Sequence, residues 1–216
     1  HRLATTLSLI CAAHTELGHS AEAYAAAERA VAVADGVGDR DLQGLANHTL
    51  GAMARAAGDY RRAAACLRRC LADEPGHVTG AFGLPAAVSV LTRGQLAWTL
   101  AELGEFADAV AYAEEAIRLA QAGNVYGKAH AHLGLGGTLF RQGRLGEAMG
   151  VLERGLELTR DVPFLAPPLA ADLGVVYALS GRPDAARELG ERAVAEGERM
   201  GRIGRPSLLV SPLGGI

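Results

Sequence analysis

One glycine-centred unit recurs five times along this chain, and that recurrence constrains the fold more than any other feature. It reads ELGHSAEA around Gly18, AAGDYRRA around Gly58, ELGEFADA around Gly104, RQGRLGEA around Gly143 and LSGRPDAA around Gly181, at intervals of 40, 46, 39 and 38 residues. The clearest copy spans Leu96 to Ala120. Apolar residues fall at Leu96, Leu100 and Leu103, break at Gly104, and resume at Phe106, Ala109, Val110, Ala113, Ala116 and Ile117. That spacing belongs to two amphipathic helices joined by a very short turn. Glycine at the break accepts the left-handed conformation that ends a helix without a Cβ clash. Small residues such as Ala97, Ala109, Ala113 and Ala116 let the two backbones approach closely. A helical hairpin repeated at this period implies a solenoid. The expected fold is therefore all-α, an α-solenoid of antiparallel helix pairs.

Taken in order, residues 3–17 and 21–33 form the first pair, with DGVGDRD (35–41) ending one unit and capping the next. Residues 42–56 and 60–71 make the second pair. The stretch 73–85 (DEPGHVTGAFGLP) is the longest irregular linker, read as a plain connection in which Phe82 and Leu84 tuck against the core. Residues 86–122 form the third pair, 125–142 with 145–160 the fourth. The fifth starts near Pro167 or Pro168, tolerated in a first turn, and pairs with 183–200. The domain reading is one repeat array over 1–206, with repeats at about 1–35, 41–75, 86–122, 125–160 and 166–200. Residues 207–216 are a tail or the start of a truncated sixth repeat, since Leu213-Gly214 falls 40 residues after Leu173-Gly174. Pro212 opposes a helix there.

Composition excludes several classes. A formal charge of -3 gives bulk electrostatics no role in holding nucleic acid. There is no uninterrupted apolar run of about 18 residues and no basic start followed by an apolar core, so neither a membrane partner nor a signal peptide is expected. The expected location is cytoplasmic. Basic charge is almost wholly arginine, Lys128 being the only lysine, which with the abundance of Ala and Gly hints at a GC-rich bacterial source. The opening His1 points to a chain cut from something longer.

Beyond periodicity, the repeats resemble tetratricopeptide repeats, which place Leu-Gly in the first helix, Gly at the turn, an aromatic soon after, small residues in the second helix and Pro at the end. The second repeat carries Leu50, Gly51, Gly58, Tyr60, Ala63 and Pro75; the fourth Leu135, Gly136, Gly143, Leu145 and Ala148; the fifth Leu173, Gly174, Tyr177, Gly181 and Ala186. The third keeps Leu96, Gly104, Phe106, Ala109 and Ala116 with Ala97 for the glycine, and the first departs most, with Ile10-Cys11. The periods exceed the family's commonest of about 34 residues. The long-period units are also similar to the C-terminal repeat regions of large bacterial signalling proteins that carry an ATPase module, and in some a cyclase or DNA-binding domain.

The resemblance implies a right-handed superhelix whose first helices line a concave surface. Transferring the family's groove positions gives Thr5, Ser8, Ala12, Thr15 and Glu16; Leu45, His48, Ala52, Arg55 and Ala56; Leu91, Gly94, Trp98, Ala101 and Glu102; His130, Leu133, Gly137, Phe140 and Arg141; and Pro168, Ala171, Val175, Ala178 and Leu179. The expected partner-binding residues are His48, Arg55, Trp98, Glu102, His130, Phe140 and Arg141, an aromatic floor rimmed by cations. They suit a peptide or partner domain with an apolar anchor and a carboxylate. The implied function is a non-catalytic interaction scaffold. The alternative is a regulatory domain that senses a small ligand or signal peptide. Self-association is expected as well, because a truncated array leaves an apolar end uncovered.

Other features read as structure. His130 and His132 point to different helix faces and make poor co-ligands, and Cys66 and Cys70 have no completing zinc set, so no metal or cofactor is expected. Cys11 and Cys70 read as reduced, packed small residues. The arginines at 61, 62, 68 and 69 read as a solvated face, before an acidic partner or RNA. Gly134, Gly136 and Gly137 lie inside a helix and cannot form a phosphate loop. Glu114 and Glu115 are expected to face solvent, and no residues assemble into a nucleophilic or acid–base set.

Overall fold

The structure is a computed structural model and describes residues 6–7, 10–11, 19–72, 86–160 and 165–199. Among these residues there are nine sizeable helices and no strand: α1 Ser20–Val37, α2 Arg40–Ala56, α3 Tyr60–Ala72, α4 Val88–Glu102, α5 Phe106–Ala120, α6 Val125–Arg141, α7 Leu145–Leu158, α8 Ala166–Leu179 and α9 Pro183–Arg199. Each helix packs on the next in the chain, and α2, α4, α6 and α8 also pack side by side. Contacts thus stay between neighbours, and the molecule is an all-α solenoid. The expected tuck of Phe82 and Leu84 and the reading of 207–216 lie outside the described residues.

The turns are built the same way each time. Gly58, Gly104, Gly143 and Gly181 have φ of 81°, 78°, 78° and 76°. The residue after each glycine donates its N–H to a carbonyl five positions back: Asp59 to Ala54, Glu105 to Leu100, Arg144 to Leu139, Arg182 to Tyr177. This closes the helix end by satisfying carbonyls left without an intrahelical partner. The helix starts use side chains where they are available. Asp39 accepts from the Leu42 N–H at 3.0 Å and Asn124 from the Gly127 N–H at 2.9 Å. One boundary differs from expectation. Helix α1 runs on through Asp35 and Gly36 to Val37 and stops only at Gly38, whose φ is 73°.

Close packing explains the interior glycines. A Cβ on Gly51 would lie 2.7 Å from Leu67 Cγ, and one on Gly136 would lie 2.5 Å from Leu152 Cγ. Leu67 and Leu152 are both fully buried. In the third pair Ala97 takes this position and is itself buried. A Cβ on Gly134 would lie 2.8 Å from Gly94 Cα, so α4 and α6 touch backbone to backbone. Gly134 and Gly136 therefore serve helix-to-helix contacts, and with Gly137 they lie inside α6 rather than in a phosphate loop.

Three of the four arginines on α3 form solvent-exposed ion pairs. Arg62 pairs with Glu28 at 2.7 Å, Arg69 with Asp35 at 2.7 Å, and Arg68 with Glu105 at 2.8 Å, each tying α3 to a neighbouring hairpin. Glu115 corrects an expectation: it does not simply face solvent but pairs at 2.9 Å with Arg93, whose side chain is buried.

Candidate functional site

Trp98 lies on α4, in the middle of the row formed by α2, α4, α6 and α8. Arg55 of α2 places its guanidinium carbon 4.4 Å from the centroid of the Trp98 ring, and Arg141 of α6 does the same at 4.9 Å. Arg141 also lies 5.6 Å from the Phe140 ring. Each cation over an aromatic face is worth about 0.5–2 kcal/mol, more where water is excluded. The two arginines reach Trp98 from flanking helices, so the indole joins three repeats.

The arginines differ in what else holds them. Arg141 Nε donates to Glu102 Oε1 at 2.5 Å and its Nη1 donates to the Gly137 carbonyl at 3.1 Å. Arg55 Nε, in contrast, is sealed from solvent with no hydrogen-bond partner. Burial works against the Arg55 charge and Arg141 adds to that, while Tyr60, Asp172 and Glu102 act in its favour.

A residue from α8 completes the group. Asp172 brings Oδ2 to 3.1 Å from where a Gly137 Cβ would stand, and Arg141 Nη1 lies 3.4 Å from the same point. The missing side chain of Gly137 is the gap they share. Asp172 Oδ2 is buried without a hydrogen-bond partner. Burial pushes the Asp172 carboxyl up to about 6; Glu102 pushes the same way, and Arg141 and Arg55 oppose.

Beneath this group lie two histidines. His48 is buried and shares a 2.9 Å hydrogen bond between Nδ1 and Thr92 Oγ1, which also meets Cys70 Sγ at 3.4 Å. His130 stacks on Tyr126 at 6.4 Å between centroids and fits only because Gly94 lacks a Cβ, whose place would be 3.0 Å from His130 Nδ1. Burial lowers His48 to about 4; burial, then His48 and Arg55, lowers His130 to about 3. Both rings are neutral at pH 7.

Of the residues named from sequence, Arg55, Trp98, Glu102, Phe140 and Arg141 come together, whereas His48 and His130 pack into the helix row. Asp172 was missed, because the transferred positions fall at Ala171 and Val175 on either side of it. A signal was present: it is the only charged residue in α8. Among the described residues no group of three His, Cys, Asp or Glu side chains could hold a metal ion, and no helix is long and apolar enough to cross a membrane.

The helix stack that carries these residues has counterparts among known proteins. Residues 95–163 and 167–192 match tetratricopeptide-repeat family models. A search of curated protein sequences finds no match. Among solved structures, the chain is similar to a Rap protein complexed with Competence and Sporulation Factor, with a TM-score of 0.76 and 14% identity, covering 95% of this chain and 56% of that one. It is also similar to Bacillus thuringiensis PlcR in complex with the peptide PapR7 and DNA, at TM-score 0.75 and 12% identity, covering 96% and 74%. The TPR-like repeats of a Podosopora anserina kinesin light chain give 0.59 and 18% identity, covering 90–91% and 95% (0.58 in a second structure). At these identities the likeness is one of fold. Two family matches lead to one conclusion: residues 95–163 and 167–192 carry tetratricopeptide repeats.

Proposed function

We propose that this chain is a non-catalytic interaction scaffold that holds a peptide or partner segment along the row of α2, α4, α6 and α8. The observation that carries this reading is Trp98, partly exposed and clasped between Arg55 and Arg141. An aromatic held rigid by its neighbours loses little entropy on binding, and Trp and Arg dominate interface energies. Leu179, exposed at 62% at the end of α8, offers a second apolar contact. It stands two residues before Gly181, as Arg141 stands two before Gly143, and so continues the same row. Arg55 is the cation best placed to receive a partner's carboxylate, since Arg141 is already held by Glu102.

The second reading is a regulatory domain that senses a signal peptide. What favours it is the likeness in fold to PlcR, solved in complex with the peptide PapR7 and DNA. The wider setting proposed is a cytoplasmic bacterial signalling protein with the array spanning 1–206.

The test is a selection of peptides from a displayed random library on the wild-type chain, followed by affinity measurements on variants. Trp98→Ala with Arg141→Ala is expected to weaken the selected peptides by tenfold or more, about 1.4 kcal/mol, with helicity by circular dichroism retained. Unchanged affinity would move the site off this row.

A further inference from the structure

We propose that Asp172 occupies the place of a partner's acidic group in this site, so that an acidic segment enters as Asp172 takes up a proton. The inference rests on the groove reading above and specifies its ligand chemistry and its control.

The argument starts from charge. Arg55 and Arg141 flank Trp98, Glu102 holds Arg141, and Asp172 sits beside Gly137 within the field of both arginines. With Asp172 ionised, the two cations are matched by two anions and an arriving carboxylate gains nothing from the group as a whole. With Asp172 protonated, one positive charge is left over. Arg141 is already paired with Glu102, so the excess falls to Arg55. Asp172 is poorly held where it is, since its Oδ2 has no donor, and an ionised carboxylate in that state is costly. A proton relieves it.

The groups that face Asp172 are Arg55 from α2, Glu102 from α4 and Arg141 from α6. From the helices packed on the other side, Glu153 of α7 is bonded to Tyr177 Oη at 2.7 Å, and Arg182, just before α9, lies 4.3 Å from the Tyr177 ring. Those charges are engaged five residues further along α8. His48 and His130 stay neutral down to about 4 and 3, so they do not supply the change. The Asp172 carboxyl, pushed up to about 6, lies in the right range. Binding an anion at pH 7 therefore draws a proton from solvent.

Trp98 is the only tryptophan and reports on this group directly. The experiment is quenching of its fluorescence by iodide, an anion, against acrylamide, which is neutral, at low salt between pH 7.5 and 5.0. The iodide-to-acrylamide ratio is expected to rise about twofold across pH 6 in the wild type. Asp172→Asn is expected to show the higher ratio at every pH, and Asp172→Ser serves as a second variant of the same kind. A ratio flat with pH in the wild type, or a step that survives in the variants, overturns the proposal. Because no peptide is used, that failure leaves the groove reading standing, whereas unchanged peptide affinity in Trp98→Ala with Arg141→Ala, beside an intact step in the wild type, removes the groove reading instead.

Discussion

Asp172 on one side, and buried His48 with half-buried His130 on the other, act on stability with opposite signs. The carboxyl is raised from 3.8 to about 6, so between these values the folded chain keeps a proton that the unfolded chain releases. Its contribution is most favourable below about pH 4 and is lost as the pH rises through 6. Asp172→Asn is expected to stabilise by about 1–3 kcal/mol at pH 7.5 and by almost nothing at pH 4, read from urea midpoints at the two values. His48 and His130 are lowered from 6.5 to about 4 and 3. Here the unfolded chain takes protons first, so stability falls as the pH drops from about 6.5 towards 4, by a few kcal/mol. His130→Gln is expected to flatten that acid limb, and an unaltered slope would contradict the burial of the ring. These placements were only half legible beforehand. Spacing puts His48 and His130 on the inner side of their helices, but whether a ring is open or covered depends on how near the next helix comes, and for His130 Gly94 and Gly134 settle that across 40 residues of chain.

At the scale of elements, the hairpins were legible because their determinants are local. A left-handed glycine, small residues on one face of the second helix and Leu-Gly on the first can each be read within a dozen residues. Helix α1 shows the limit. Gly36 tolerates the helical conformation and only Gly38 takes positive φ, a choice that the string DGVGD leaves open. Helix-to-helix partners are not local either: the α3 arginines read as a solvated face and are solvent-exposed, but their pairing with Glu28, Asp35 and Glu105 was not legible in the sequence. Those pairs are exposed, and Arg69→Ala is expected to cost less than about 1 kcal/mol by chemical denaturation. Gly134→Ala is different. Alanine is intrinsically the better helix former by about 1 kcal/mol, yet its Cβ would meet the Gly94 backbone, so a net loss of about 1–3 kcal/mol in the same assay is expected. A stabilised variant would show that α4 and α6 do not touch as described.

For the whole molecule, contacts confined to chain neighbours mean that damage stays local. Hydrogen exchange on Gly134→Ala is expected to speed up in α4 to α7 while α1 to α3 keep their protection, and uniform acceleration along the chain would indicate a closed globule instead. The same nearest-neighbour build gives one more result. In such a stack, small rotations between successive hairpins add up along its length, so the array is a spring whose end-to-end distance amplifies any change at a single joint. The clasp of Arg55, Trp98 and Arg141 bolts three successive coils together at mid-length, and Asp172 brings a fourth against it. A guest that pries those guanidiniums off the indole would soften the spring at its centre, and the two ends of the coil would register the visit.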